Sequence, residues 1–366
     1  MRQLNYSDPS NDKDRSDHEH LAPITSLAST ENLGTDQSLQ IYRIMVRARA
    51  LEEGMIRMCK SGQSYFWIGG PGEEAFNVCL GLQIKKGRGP AFDFLHLHYR
   101  SSAVLVAMGM PLIDAIRQTA MRATDRFSMG RNFLGHYSVP EWNVVPMTSV
   151  VENQFAIAPG TAMVQRRFGG DAITIVNGGD AGTAQGDFAS CMIWSTRPDN
   201  QLPVLMITNN NHWGISTAAG TQHGERFVTD RGKAFGIPGE VVDGNDPIAS
   251  WHAIARAIGH CRRRRHPYML QANVSRLFGH SSASGAGRAT DEPDCIAMFA
   301  EKLLASGTIT PAMIDQTKKA ADQEVQSAID QVLAEPMPTP DDLYSHVFAP
   351  SRVDAVYPDG CRGLPG

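Results

Sequence analysis

Between residues 172 and 274 the chain alternates short apolar, β-branched runs with longer stretches of helical character. The runs are AITIV (172–176), PVLMIT (203–208), GEVVDG (239–244) and YMLQANV (268–274), with helices expected through DFASCMIWS and from about 247 to 265. Parallel strands cannot be joined by a tight turn and need a crossover, usually a helix. The alternation therefore predicts an α/β fold: a doubly wound, mostly parallel sheet with helices on both faces. Helical extensions flank it. Ile41, Ile44, Met45, Ala48, Leu51, Met55 and Met58 recur at three- and four-residue steps, a buried stripe rather than a cofactor box. Near the other end, DEPDCIAMFAEKLLASG stops at Gly307, and a further helix opens with Thr310 as N-cap and Pro311 in its first turn. Residues 1–35 are rich in Asp, Ser, Asn and Thr and read as a solvated polar tail, 36–345 as the folded domain, and 346–366 as a C-terminal tail.

Composition removes several function classes. Length alone allows about two domains. Lys plus Arg number 34 against 38 Asp plus Glu, a net charge of −4 that offers no field for nucleic acid or an anionic membrane. No apolar stretch approaches the roughly 20 residues that cross a bilayer. The polar, acid-bearing opening is unlike a secretory signal or transit peptide. Six cysteines are scattered without a Cys-x-x-Cys pair, so a reduced, cytoplasmic protein is expected. Arg262 to Arg265 end a helix, where cations meet the negative pole, and are read that way rather than as a nucleic-acid patch.

The chemistry points to GGDAGTAQGDF, which follows the first of the expected strands. In a parallel sheet the loops at the carboxyl ends of the strands gather at one edge and hold ligands. Asp180 sits just past one strand and Asn211, in TNNNHWG, just past the next. A carboxylate, an amide oxygen and a main-chain carbonyl make part of a hard-oxygen shell, suited to magnesium that completes its octahedron with phosphate oxygens and water. Glycines 178, 179, 182 and 186 would let the backbone approach, and the helix that follows would turn its amides toward an anion. Alone, a Gly-Gly-Asp turn is as readily an Asx cap as a ligand site. The stretch fits neither Gly-x-Gly-x-x-Gly nor a Gly-x-x-x-x-Gly-Lys-Ser/Thr loop. The pairing of Asp180 with Asn211, one helix and one strand apart, favours the metal-bridged diphosphate.

GGDAGTAQGDF followed by LPVLMITNNNHWGIST resembles the thiamin diphosphate motif of the alpha subunits of 2-oxo acid dehydrogenases. QIYRIMVRARALEEGMIRMCKSGQ, GEEAFNVCLGL, HYRSSAVLVAMGM, MGRNFLGHY, VVDGND, SRLFGHSS and GTITPAMIDQ follow in that family's order, so the resemblance spans about residues 37–350. It implies magnesium on Asp180, Asn211 and the main-chain oxygen of Trp213, which replaces the usual tyrosine. It implies Tyr99, Arg100 and Arg276 on the diphosphate, with Gly179, Ala181 and Gly182 around it, and main-chain groups of Ser149 and Val151 on the aminopyrimidine. His280 would line the substrate channel, with His136 a second catalytic candidate, and Phe66 and Trp67 would wall the substrate pocket. The reaction implied is oxidative decarboxylation of a 2-oxo acid with acyl transfer to a lipoyl group. The activating glutamate would come from a beta subunit, giving an α2β2 tetramer on a lipoyl-bearing acyltransferase core. Details around SYFWIGGPGEE, GRNFLGHY, GIST and GND sit nearest the branched-chain members (3-methyl-2-oxobutanoate), with pyruvate and acetoin members as alternatives.

Two departures stand out. Ala181 replaces a motif glycine and is expected to shift the loop; SSASGAG replaces Ser-x-Ser-Asp after His280, predicting a less ordered loop without phosphorylation control at Ser281. Two other classes remain open on sequence: a nicotinamide-binding oxidoreductase with Asp199 on the ribose, and a non-catalytic partner subunit.

Overall fold

The computed structural model describes residues 33–289 and 291–345. Its centre is a five-stranded sheet built from β1 (Phe94–His96), β2 (Thr174–Gly179), β3 (Val204–Asn210), β6 (Gly239–Asp243) and β7 (Tyr268–Asn273). The strand order is β1-β2-β3-β7-β6 and every pairing is parallel. A two-residue pair, β4 (Trp213–Gly214) with β5 (Thr217–Ala218), forms a small antiparallel hairpin beyond β3. The sequence pattern does not reveal β1, whose three residues are too short to show a period.

Alternation along the strands divides the core in two. Ile175, Leu205, Ile207, Leu270 and Ala272 face a large cluster shared with α1 (Thr35–Lys60), α2 (Glu74–Gln83) and α7 (Pro247–Arg264). Their sequence neighbours Val176, Val204, Met206 and Met269 face a second cluster with Phe155, Ala158 and Ala162 of α5 (Asn153–Phe168) and Phe188, Cys191 and Met192 of α6 (Gly186–Ser195). Each Leu or Ile so buried contributes roughly 1.5–3 kcal/mol, and the sheet is covered on both faces as a parallel sheet must be.

The long helix α1 begins at Thr35, one residue inside the stretch expected to be a polar tail; residues 1–32 of that stretch and the C-terminal tail at 346–366 lie outside the described residues. Ile41, Met45, Ala48, Leu51, Met55 and Met58 are buried as a stripe. Gly54 lets α9 (Pro311–Leu333) lie close, since a Cβ there would come within 2.5 Å of Val325. In α9, Thr310 accepts from the amide of Met313 at 3.3 Å as the N-cap. Before it, α8 (Cys295–Ala305) is capped by Asp294, which accepts from Ile296.

The arginine run is structural, and does more than meet a helix pole. Arg262 forks onto both oxygens of buried Asp93 at 2.8 and 2.9 Å, and Arg265 donates to the carbonyl of Ala172 at 2.9 Å. Those contacts tie the end of α7 to the entrances of β1 and β2. Cys59, Cys79, Cys191, Cys261 and Cys295 are free thiols. Among the described residues no helix is long and apolar enough to cross a membrane.

Candidate cofactor and metal site

The parallel strands deliver their loops to one edge. Leu97 to Arg100 follow β1, Asp180 follows β2, Asn211 follows β3, and His280 lies in the loop after β7. With Ile68 and Glu73 before α2 and the segment around Thr148 to Gln154, these residues line a cavity of about 510 Å³. Gly179 stands in register with Asn209, and the amide of Asp180 donates to the carbonyl of Asn209 at 3.3 Å. The two strand tips are therefore side by side.

Asp180 is 2% exposed, and its Oδ2 is buried without a hydrogen-bond partner among the described residues. Burial pushes its carboxyl above the usual range. An unsatisfied buried carboxylate oxygen costs about 1–3 kcal/mol or more, and a cation is the partner that removes this penalty. Asn211, also buried, accepts at Oδ1 from the amide of Trp213 at 3.1 Å, which keeps that oxygen and the Trp213 main chain together. Carboxylate, amide oxygen and main-chain carbonyl are hard donors and fit magnesium. Among the described residues no cluster of three or more His, Cys, Asp or Glu side chains could hold a metal, as expected when only one ligand of the three is acidic.

Two buried glutamates that the sequence reading did not single out support this edge. Glu73 accepts from Asn209 Nδ2 at 2.7 Å and also from the side chain of Asn211. Burial pushes its carboxyl up to about 7, against the pull of Arg100 and these amides. By taking the amide nitrogen of Asn211 it leaves the amide oxygen for a ligand. Its only trace in the sequence is the acidic pair in GEEAFN. Glu152 precedes α5 with φ +60°, and its Oε1 accepts from the amide of Gly179 at 3.2 Å. Burial pushes this carboxyl up to about 8, opposed by the Gly179 amide and aided by Asp180. No local pattern marks it.

Glu152 also revises the reading of the glycines. A Cβ on Gly178 or Gly182 would fall 2.1 or 2.0 Å from a Glu152 carboxylate oxygen, whereas Gly179 has its nearest neighbour at 3.8 Å and Gly186 meets open space. Two of the four glycines make room for this chain's own side chain. The motif alanine is accommodated as well: a Cβ on Gly214 would lie 2.7 Å from that of Ala181, so the bare Gly214 is what lets the methyl fit.

The opposite wall holds Tyr99, Arg100 and His280. Arg100, 4% exposed, donates to the carbonyl of Gly69 and, from Nη2, meets Nδ1 of His280 at 2.9 Å. Burial, then Arg100 and Arg276, press the His280 imidazole down to about 4. His98, packed 3.8 Å from the ring of Tyr99, is likewise held well below the usual range, chiefly by burial.

Of the residues nominated from sequence, Tyr99, Arg100, Ser149, Val151, Gly179, Asp180, Ala181, Gly182, Asn211, Trp213 and His280 all line the cavity. Four do not. Arg276 donates to the carbonyl of Ile215 at 2.9 Å and lies over the Trp213 ring, so it braces the β4–β5 hairpin while staying within electrostatic reach of Arg100, Asp180 and Tyr99. Trp67 is fully buried and donates from its indole to Glu52 at 2.9 Å. Phe66 packs edge-on against Phe133. His136 stands at the rim, hydrogen-bonded to Ser149 Oγ and to the carbonyl of Phe133. Ile68 rather than Phe66 or Trp67 reaches the cavity.

The loop after His280, expected to be less ordered, is held by several hydrogen bonds. Ser282 donates its amide to the carbonyl of Trp67 at 2.8 Å, Gly279 donates to Gly287 at 3.1 Å, and Ser281 is 4% exposed. Asp199 lies in the loop leading into β3, at the end of the strand away from the cavity, so it cannot serve as a ribose ligand there.

The sequence model of the dehydrogenase E1 component family matches residues 42–341. This chain belongs to that family. Among its relatives, the alpha subunit of 2-oxoisovalerate dehydrogenase from Bacillus subtilis (strain 168) is 29% identical, covering 88% of this chain and 96% of the relative. The pyruvate dehydrogenase E1 component subunit alpha of Rhizobium meliloti (strain 1021) is 28% identical, covering 86% and 90%. The mitochondrial 2-oxoisovalerate dehydrogenase subunit alpha of Homo sapiens is 25% identical, covering 89% and 73%. E1 alpha chains use thiamin diphosphate with a divalent metal, commonly magnesium, and pair with a beta subunit. The orphaned oxygen of Asp180 lies in the same cavity as Asn211.

Proposed function

We propose that this chain is the alpha subunit of a branched-chain 2-oxo acid dehydrogenase, acting on 3-methyl-2-oxobutanoate with transfer of the acyl unit to a lipoyl group. The observation that carries the reading is the juxtaposition of buried, unpartnered Asp180 with Asn211 at adjacent strand tips. Thiamin diphosphate, when bound, supplies the nucleophile for the ketone carbon and the electron sink after carbon dioxide leaves. The chain's residues bind and orient. Asp180, Asn211 and the main-chain oxygen of Trp213 would hold magnesium. Tyr99 and Arg100 offer a phenol and a guanidinium to the diphosphate, main-chain groups of Ser149 and Val151 would seat the aminopyrimidine, and Gly179, Ala181 and Gly182 form the turn beneath. With Nδ1 engaged by Arg100, neutral His280 carries its proton on Nε2 and can donate it as a hydrogen bond to a substrate oxygen.

The assembly this reading calls for is an α2β2 tetramer in the cytoplasm, docked on a lipoyl-bearing acyltransferase core, with the beta subunit supplying the activating glutamate. Pyruvate remains the second substrate reading, because the B. subtilis and R. meliloti relatives are 29% and 28% identical. A methylene or two in an apolar pocket discriminates by only about 1–3 kcal/mol. The deciding experiment co-purifies the chain with its beta subunit and measures decarboxylation of 3-methyl-2-oxobutanoate, pyruvate and acetoin. Turnover of the branched substrate above the other two is expected, and absence of turnover with all three would refute the assignment.

A further inference from the structure

We infer that Glu152 is a positioning residue for the metal-binding turn: its carboxyl group holds the backbone that presents Asp180. This rests on the reading of the cavity as a magnesium–diphosphate site.

The turn is fixed at two successive amides from opposite sides. Gly179 donates to Glu152 Oε1 at 3.2 Å, and Asp180 donates to the carbonyl of Asn209 at 3.3 Å. One pin comes from the residue before α5, the other from β3. Between them the peptide carrying Asp180 has little freedom to rotate. The carboxyl of Glu152 also fills the hollow of the turn, touching the space above both Gly178 and Gly182, where a Cβ would fall within 2.1 Å of its oxygens. The contact costs backbone strain: Glu152 takes φ +60°, a left-handed conformation disfavoured for residues bearing a side chain. Its side chain does not cap α5. It is 2% exposed, and Gln154 Nε2 is its second polar neighbour at 3.4 Å. A strained, buried acid that neither caps its helix nor forms an ion pair among the described residues, and whose shortest polar contact is the amide beside Asp180, is explained by the shape it imposes on that turn.

The brace works through volume and one accepted hydrogen bond, both of which glutamine reproduces and alanine does not. The test uses the complex with the beta subunit and follows binding of magnesium plus thiamin diphosphate by calorimetry, with thermal melting as the control for folding. Residues that orient metal ligands commonly carry 10–100-fold in metal affinity, so Glu152→Ala should weaken binding at least about tenfold while Glu152→Gln stays within about threefold of wild type. Gly182→Ala drives a methyl into the carboxyl, so it should weaken binding in the wild-type background and cost nothing further alongside Glu152→Ala. Unchanged binding in Glu152→Ala would overturn the inference, as would Glu152→Gln losing as much as Glu152→Ala with melting intact. A wild-type complex that binds no cofactor with magnesium would remove the functional reading and this inference together.

Discussion

Arg100 donates from Nη2 to Nδ1 of His280 across 2.9 Å, and that contact sets the tautomer of the imidazole. A guanidinium has no lone pair to offer, so Nδ1 must be unprotonated and the ring proton sits on Nε2. With the ring pressed down to about 4 by burial and by Arg100 and Arg276, the neutral form holds through physiological pH. Imidazole NMR of the isotopically labelled complex should find the Nε2–H form down to about pH 5. Arg100→Met should move the titration up toward the ordinary histidine range; an unmoved titration would break the link.

Arg100 and Arg276 are not equivalent. Arg100 lines the cavity, whereas Arg276 is engaged with the β4–β5 hairpin, donating to Ile215 and covering the Trp213 ring. Charge-assisted hydrogen bonds contribute roughly 1.5–3 kcal/mol, so Arg100→Ala should weaken thiamin diphosphate binding by about ten- to a hundredfold. Arg276→Ala should act less, through a looser hairpin. Equilibrium binding of the cofactor to both variants separates the two roles, and a larger loss at Arg276 would contradict the geometry.

Glu73 takes the amide protons of Asn209 and Asn211. Its replacement by alanine leaves the Asn211 amide without this anchor, while Asn209 keeps its bond to Asn77 at 3.2 Å, and magnesium affinity should fall by about 10–100-fold. Manganese binding followed by electron paramagnetic resonance reads this directly.

Asp180 holds a buried carboxyl oxygen that no hydrogen bond satisfies among the described residues, and burial raises its carboxyl above the usual range. Asp180→Ala should abolish magnesium-dependent cofactor retention and leave the metal-free melting temperature equal or higher, the usual exchange of stability for function. Retention of cofactor by the variant would remove Asp180 from the metal site.

Glu52, buried beneath Trp67 and Ser102, has its carboxyl pushed from 4.5 up to about 7, chiefly by burial. A raised folded-state value means the folded chain holds the proton longer than the unfolded one, so stability is full below pH about 4.5 and declines as pH rises through about 7. The contribution over that window is at most about 3 kcal/mol. Glu52→Gln should show a shallower decline than wild type, since Glu73 and Glu152 keep their own raised carboxyls, and denaturant melts of both proteins between pH 5 and about 8 measure the difference.

Much of the architecture was legible because it rests on patterns that repeat: the strand runs from 172 to 274 and the stripe of α1 both appear in the fold. The adjacency of Asp180 and Asn211 was legible for the same reason, since one helix between two strands makes their tips neighbours. What escaped was whatever depends on a long-range contact with no local period. Glu152 reaches the turn from the far side of α5, and Glu73 meets Asn209 across 136 positions of sequence. Arg276 shows the converse. Its place in a motif says which loop it occupies, but the neighbouring hairpin decides which way it turns.

The strand order carries a consequence for how the protein is made. β7 is the last sheet strand to be synthesised, yet it lies between β3 and β6. Until it emerges from the ribosome, β3 presents a raw edge and β6 has no neighbour at all, the condition in which nascent chains stick to one another. The vitamin's berth is likewise unfinished until that late insertion brings His280 to Arg100, so a truncated product would be a hazard to its own kind rather than a weak enzyme.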